Sequence, residues 1–214
     1  MDADWGAEIE SNDVVIRVNR LPADSSRERE IGARCDVFFV DRCSVSDSGR
    51  IQYDPIGGGE TRSCDSHDDG NCPFHAVIFR GNTQVWEPAC LGETQHEAGA
   101  RSAAQSSYIP WGVESDLVAE AVLALRDYDP DGSVDHKPTT GFHAAIVFSL
   151  ACKSVRLYGF AGSDTVDGHA ISADHGLERE HQLLRQLEAK TLPSSKMNNV
   201  LRAWWSDTDM TVVC

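Results

Sequence analysis

The chain has no apolar run of the roughly 18 residues that a membrane-spanning helix requires. Its first eight residues lack the basic block and the apolar block of a secretory signal peptide. It also has no Asn-x-Ser/Thr sequon, so N-glycosylation gives no information about its compartment. These absences predict a soluble chain without a visible targeting signal.

Basic side chains are scarce, since 19 Lys and Arg stand against 34 Asp and Glu, which gives a formal net charge of −15. Because such a surface repels phosphate, the charge argues against binding to nucleic acid or to an anionic membrane. A hydrophobic fraction of 41% is sufficient for a packed core, which excludes wholesale disorder. At 214 residues the chain allows one compact domain or a tightly joined pair, and we predict a single domain over 1–214.

The seven cysteines are many for a cytosolic protein of this size, and their scatter slightly favours an oxidising compartment. The closest cluster, Cys64-x-x-His67-x4-Cys72-x-x-His75, has the ligand types and the approximate spacing of a small zinc site. A local disulfide between Cys64 and Cys72 explains the same cysteines with fewer demands. We therefore keep zinc as the alternative to a disulfide.

Three solidly apolar runs, over 13–19, 37–40 and 75–80, predict strands. Runs without polar alternation are typical of strands covered on both faces, as in a parallel sheet flanked by helices. The first strand is expected to run into a loop at Arg20. The segment 44–73 is rich in Ser, Asp and Gly, and it predicts a loop insertion.

The second half of the chain predicts helices over 115–126, 139–152 and 177–190, and strands over 155–160 and 210–214. Strands that alternate with helices predict an α/β fold with a mostly parallel sheet. In the last helix an apolar face is expected to oppose an exposed acidic one: Leu177, Leu184 and Leu187 against Glu178, Glu180 and Glu188.

An acidic loop over Asp127–Asp135 has the Asp-x-Asp-x-Asp-Gly spacing that begins a calcium-binding EF-hand loop. The twelfth position, where a bidentate Glu should complete the calcium ligands, is Pro138. We interpret the loop as a charged turn between helices, with weak calcium binding as the alternative.

Two histidines, His169 and His175, come just before the helix predicted over 177–190. Histidine serves as a general base near neutral pH, since its unperturbed pKa is about 6.5. A helix N-terminus favours the neutral imidazole and attracts phosphate, so the two could divide proton abstraction and leaving-group stabilisation. Solvated surface histidines or a helix cap are the alternative interpretation.

The Pro138-Thr-Thr-Gly141 start of the buried helix would expose backbone N–H groups that suit a phosphate or a nucleotide. An ordinary N-cap explains the same residues. Taken alone, the spacing does not separate these two interpretations.

Several segments together resemble the eukaryotic sialyltransferases, glycosyltransferase family 29. Pro138–Phe160 runs Pro-Thr-Thr-Gly, apolar helix, Cys, strand and Tyr-Gly-Phe, which is similar to the small sialylmotif. Asn12–Pro22 and then Glu30–Arg34 resemble the second half of the large sialylmotif. His175 fits the His-x4-Glu pattern of the very small motif together with Glu180, whose role would be structural.

His169 would be the histidine of the family's short third motif, so that four motifs follow in the family's order. The resemblance implies a Rossmann-like GT-A variant fold and an inverting transferase that needs neither metal nor cofactor. Such an enzyme moves sialic acid, or the related sugar Kdo, from CMP-sialic acid or CMP-Kdo to a glycan hydroxyl in the Golgi lumen.

The resemblance also assigns roles to individual residues. His169 would stabilise the phosphate of the departing CMP, and His175 would deprotonate the acceptor hydroxyl. Donor-binding roles fall to one asparagine and to the start of the buried helix: Asn19, Thr139, Thr140 and Gly141.

The chain departs from the family pattern at its N-terminus, where only acidic filler precedes Asn12 in place of a cysteine-bearing strand and a glycine turn. We therefore expect an N-terminally incomplete catalytic domain, a Cys152 without its family partner, and a membrane anchor that this chain lacks. The family's aromatic residues after His169 are also missing, since Ala170 and Ile171 follow it. These departures favour the alternative of a non-catalytic sialyltransferase-like protein that binds a nucleotide or a glycan.

Overall fold

The computed structural model describes twelve parts of the chain: residues 4–22, 27–40, 51–56, 59–64, 74, 76–79, 111–112, 138–160, 165–166, 169–170, 176–191 and 209–213. The chain divides into two compact units, residues 1–113 and 114–214. The single domain predicted over 1–214 stays a prediction.

The residues of the first unit that the structure describes form short helices and strands. In chain order they are α1 (Gly6–Glu10), β1 (Ile16–Val18), β2 (Arg20–Pro22), α2 (Glu28–Ile31), β3 (Val37–Val40), β4 (Ile51–Ile56), β5 (Arg62–Cys64), β6 (Ala76–Phe79) and β7 (Trp111–Gly112).

The larger sheet of this unit has four parallel strands in the order β1-β3-β6-β7. The three apolar runs of the sequence form β1, β3 and β6, so the prediction of a parallel sheet is confirmed for these residues. Phe38, Phe39 and Val40 of β3 are fully buried, which agrees with a strand that is covered on both faces. The described residues therefore form a mixed α/β structure with parallel sheets.

The loop predicted over 44–73 is wrong in part, because this segment contains β4 and β5. β4 pairs in parallel with β2 and antiparallel with β5 in a second sheet. Ile51 and Tyr53 are buried, and the residues that follow each of them are exposed, which is the two-residue period of a half-buried strand. This alternation is short, and the serine, aspartate and glycine residues on either side of it are typical of a loop.

Arg34 connects the start of the first unit to the segment before β3. Its guanidinium donates to the main-chain carbonyls of Asn12 and Asp13, each at 2.7 Å, and of Glu10 at 3.3 Å. The same group forms an ion pair with Asp36 at 2.8 Å. Because one rigid planar cation satisfies three carbonyls and a carboxylate, Arg34 fixes the path of the chain that enters β1.

The described part of the second unit has two longer helices and two small sheets. Its elements are α3 (Thr140–Ala151), β8 (Ser154–Tyr158), β9 (Thr165–Val166), β10 (His169–Ala170), α4 (Leu177–Glu188) and β11 (Asp209–Val213). The helices predicted over 139–152 and 177–190 are confirmed, as are strands within 155–160 and 210–214. No helix in the described part of the chain is long and apolar enough to cross a membrane.

The core of this unit lies where α3 and α4 pack against the parallel pair of β8 and β11. Leu184 and Leu187 of α4 belong to it as predicted, whereas Leu177 is only partly buried. The core side chains are Phe142, Ala145, Ile146, Leu157, Leu183, Leu184, Leu187, Met210 and Val212.

The end of α4 is bonded to the main chain of β11. The Val212 N–H donates to the Glu188 carboxylate at 3.0 Å, and Arg185 donates to the Val212 carbonyl at 3.0 Å. Arg185 also forms an ion pair with Glu188 at 2.8 Å. Glu188 is therefore partly buried rather than exposed as predicted, because its carboxylate is needed by a strand that lies 24 residues later.

Candidate functional site

The start of α3 is built by Thr139, whose side chain caps the helix. The Thr139 hydroxyl accepts a hydrogen bond from the Phe142 N–H at 3.0 Å, while the Thr139 backbone is extended. A threonine in this position satisfies one of the helix N–H groups that have no acceptor within the helix. Phe142 is fully buried, so the capped turn is anchored directly in the core.

Glu180 of α4 binds the same threonine twice. The Thr139 N–H donates to Glu180 Oε1 at 2.6 Å, and the Thr139 hydroxyl donates to Glu180 Oε2 at 2.6 Å. The prediction that Glu180 is exposed is wrong, since only 4% of this residue is accessible to solvent. Two short bonds to a carboxylate in the first turn of α4 explain the burial, because both the donors and the helix dipole stabilise its charge.

These bonds decide which groups at the helix start remain for a ligand. Thr139 uses its N–H and its hydroxyl proton on Glu180, and its oxygen already accepts from the Phe142 N–H. Thr140 and Gly141 occupy the first two helical positions, where backbone N–H groups have no acceptor within the helix. The predicted phosphate-binding groups therefore reduce mainly to the N–H groups of Thr140, a residue that is only 6% exposed, and of Gly141, which is partly buried.

Phe160 covers one side of this helix start. A Cβ on Gly141 would lie 3.3 Å from two carbons of the Phe160 ring, which is tighter than an ordinary contact. The Phe160 carbonyl is hydrogen-bonded to Nδ1 of His181, the residue after Glu180. Gly159 has φ +81°, a conformation that glycine adopts readily, and it turns the chain out of β8 towards this contact.

Of the two histidines predicted to be catalytic, only His169 lies among the described residues. His175 lies outside the described residues, two positions before α4 begins. His169 lies in β10, where its backbone pairs with Val166 of β9; its side chain is outside the description. Their proposed roles stay predictions.

Asn19 belongs to the first unit and lies between β1 and β2. Its N–H donates to the Phe39 carbonyl at 2.9 Å, and its φ of +58° is one that asparagine tolerates better than most residues. The loop expected from Arg20 is wrong, because residues 20–22 form β2. Asn19 follows the carboxyl end of a parallel strand, which is the edge where ligands bind in open α/β sheets.

Three cysteines lie among the described residues and bear on the choice between a disulfide and a zinc site. Cys64 is buried and disulfide-bonded to a cysteine outside the described residues, which favours the disulfide over zinc at this position. Cys35 and Cys152 carry free thiols. No group of three or more His, Cys, Asp or Glu could hold a metal ion among the residues that are described, and the acidic loop over 127–135 lies outside them.

No family model matches the chain, and neither a curated protein nor a solved structure matches it.

Proposed function

We propose that this chain is a sialyltransferase-like glycosyltransferase, which transfers sialic acid or Kdo from its CMP donor to a glycan hydroxyl with inversion. The observation that supports the proposal best is the start of α3, where Pro-Thr-Thr-Gly forms a capped helix N-terminus held by a buried carboxylate. Glu180, which provides that carboxylate, belongs to a second motif of the resemblance. The fold that accompanies the proposal is a Rossmann-like GT-A variant.

The start of α3 suits the ribose-phosphate of a CMP donor. The N–H groups of Thr140 and Gly141 point out of a helix whose dipole favours negative charge. Gly141 has no side chain, and the Phe160 ring lies 3.3 Å from the position that a Cβ would take, so the missing side chain makes room for this ring. This local site can hold an anion although the whole chain carries a net charge of −15.

The proposed reaction is a displacement at the anomeric carbon of the donor sugar. His175 takes the proton of the acceptor hydroxyl while its oxygen forms the new bond to that carbon. The bond from the same carbon to the CMP phosphate breaks, and the electron pair leaves with CMP, whose charge His169 stabilises. Attack from the face opposite to the leaving group gives inversion.

In this proposal Asn19 contacts the donor nucleotide, and the acceptor is a glycan. The proposed compartment is the Golgi lumen. Neither a metal ion nor a cofactor takes part in the proposed steps, because CMP is already a good leaving group.

The test of the enzymatic proposal is release of CMP. We expect the chain to release CMP from CMP-sialic acid or CMP-Kdo when galactosyl acceptors are added, and His175→Ala to abolish the release. His96→Ala, a histidine outside the four motifs, is the matched control and should leave the rate unchanged. Release that survives His175→Ala would contradict the mechanism.

Calorimetry with CMP separates the enzymatic proposal from the non-catalytic alternative. Saturable CMP binding without any transfer would support a nucleotide-binding protein that has no turnover. A chain that binds no CMP would contradict both.

A further inference from the structure

The core of the first unit contains both a free thiol and one half of a disulfide. Cys35 is free and 6% exposed, and Cys64 is disulfide-bonded and 2% exposed. Both side chains belong to one cluster of packed, buried residues: Leu21, Cys35, Phe38, Val40, Ile51, Tyr53, Cys64 and Phe74. A thiol that could attack the disulfide is therefore enclosed in the same core.

β3 and β4 follow this cluster in the same direction. The ring of Phe38 packs edge-on against the ring of Tyr53, with the centroids 6.2 Å apart. The Phe39 carbonyl accepts a hydrogen bond from the Asn19 N–H at 2.9 Å. The residue that follows Asn19 pairs with Asp54 of β4. Residue numbers therefore increase towards the same end of the core in both strands.

The two cysteines lie at the opposite end of the core, where the residue numbers are lower. Cys35 comes three residues before Phe38, and Ile51 comes two residues before Tyr53. Cys64 of β5 is directly opposite Ile51 in an antiparallel pair, so these two side chains lie on the same face of the sheet. The strands therefore bring Cys35 and Cys64 to one end of one buried core.

We propose that Cys35 is an internal exchange partner of the Cys64 disulfide, so that the core of the first unit contains a thiol–disulfide switch. The thiolate of Cys35 attacks the sulfur of Cys64 and forms a Cys35–Cys64 disulfide. The bond from Cys64 to its present partner, a cysteine outside the described residues, breaks. The electron pair leaves on the sulfur of that partner, which takes up the proton that Cys35 has lost. One disulfide and one thiol remain, so no external oxidant or reductant is needed.

The folded core suppresses this exchange. Burial raises the pKa of Cys35 to about 12, so almost none of it is the reactive thiolate at neutral pH. The thiol also donates a hydrogen bond to the Val37 carbonyl at 3.4 Å. Local opening exposes the thiol and returns its pKa towards the ordinary value. The exchange therefore follows opening of this core, and it does not depend on the proposed glycosyl transfer.

Disulfide mapping of the full chain tests the switch. The protein is held without reductant in the lowest urea concentration at which iodoacetamide begins to label Cys35. Parallel samples without iodoacetamide are then blocked with N-ethylmaleimide and mapped by peptide mass spectrometry. We expect a peptide pair that joins Cys35 to Cys64, and we expect protein kept in buffer alone to lack it. Its rate of formation should rise about tenfold per pH unit below the pKa of the opened thiol, because the thiolate is the nucleophile.

Cys152 provides the matched control, because it is the other free thiol among the described residues and belongs to the second unit. Cys152→Ser should leave formation of the Cys35–Cys64 pair unchanged, and Cys35→Ala should abolish it. Peptides that join Cys152 to Cys64 should be at least about tenfold less abundant, since Cys152 is not a member of the buried cluster and lacks the advantage of proximity.

Two results would overturn the proposal. In the first, iodoacetamide labels Cys35 in urea, yet no Cys35–Cys64 pair forms. In the second, Cys35 and Cys152 give equal amounts of product with Cys64, which means random exchange in an unfolded chain rather than exchange within a shared core. Should Cys35→Ala fail to fold, the wild-type map and Cys152→Ser decide the question.

Discussion

The ring of Phe160 lies directly over Gly141, so that a Cβ at position 141 would come within 3.3 Å of two ring carbons. Alanine is normally favoured over glycine in a helix by about 1 kcal/mol. At this position the Phe160 ring would have to shift by a few tenths of an ångström to admit the added methyl. The contact therefore opposes the usual gain in helix propensity.

We predict that Gly141→Ala lowers the free energy of unfolding by about 1 kcal/mol, because the overpacked ring costs more than the helix gains. In a Phe160→Leu background the ring is absent, and the same substitution should be stabilising by about 0.5 kcal/mol. Urea denaturation of the four proteins measures both values. Equal stabilisation by Gly141→Ala in the two backgrounds would show that the ring does not crowd position 141.

The carboxylate of Glu188 should make stability depend on pH. Burial alone would raise its pKa, but hydrogen bonds from the Val212 N–H and from Arg185, with the charge of Arg185, hold the pKa below its ordinary value near 4.5. A lowered pKa in the folded protein means that the charged form stabilises the fold above pH 4.5. This contribution is lost as the pH falls through the folded pKa.

We therefore predict that Glu188→Gln lowers the free energy of unfolding at pH 7 by about 1 kcal/mol. The difference from the wild type should shrink as the pH falls below 4.5. Denaturation curves at pH 7 and at acidic pH test both statements. Glu178→Gln, which is exposed on the same helix, should show neither effect; a loss at Glu188 that is independent of pH would contradict the role of the charge.

The free thiols of Cys35 and Cys152 should differ in reactivity. Burial raises the pKa of Cys35 to about 12, against the opposing effect of Arg17, and burial also raises the pKa of Cys152. Cys152 is partly exposed, whereas Cys35 is 6% exposed. Because the thiolate is the reactive form, iodoacetamide at pH 8 should label Cys152 at least about tenfold faster than Cys35. Peptide mass spectrometry measures the two rates, and comparable labelling of the folded protein would contradict the burial of Cys35.

Arg34 should be intolerant of lysine. Lysine keeps the charge but cannot satisfy three carbonyls and Asp36 with one planar group, so Arg34→Lys should lower the free energy of unfolding by about 2 kcal/mol. Arg27 is the matched control because its ion pair with Glu30, three residues later, is partly exposed to solvent. Arg27→Lys should cost less than about 0.5 kcal/mol. Similar losses for both variants in chemical denaturation would mean that the carbonyl contacts of Arg34 contribute little.

Elements whose signal is local could be predicted from the sequence. The start of α3 was predictable because Thr139 is a good N-cap before an uninterrupted apolar run, and both features act within a few residues. β3 was predictable for a similar reason, since a short apolar run between polar segments has few other stable arrangements.

The errors concern contacts between residues that are distant in the chain. Glu180 lies on a helix among other glutamates, and nothing within α4 indicates that its carboxylate is needed by Thr139, 41 positions earlier. Glu188 was predicted to be exposed for the same reason, since its partner Val212 lies 24 residues later. For β4 a local signal existed, because Ile51 and Tyr53 alternate with polar residues, but it is short and the flanking composition is that of a loop.

In the candidate site too, local features could be predicted from the sequence and contacts between distant residues could not. The sequence identified Thr139, Thr140 and Gly141 as a group, and the structure places them together because they are consecutive. It did not indicate that the hydroxyl of Thr139 is engaged by α4, nor that Phe160 covers Gly141. Which polar groups face a ligand depends on such tertiary contacts, which the order of motifs does not contain.

The contact between α4 and β11 has a consequence for association between molecules. At Val212 both main-chain polar groups already have side-chain partners, a carboxylate for the N–H and a guanidinium for the carbonyl. Another chain could add a strand at this residue only by displacing Glu188 and Arg185. Two side chains at the end of a helix thus take the place of a neighbouring strand and oppose aggregation through this part of β11.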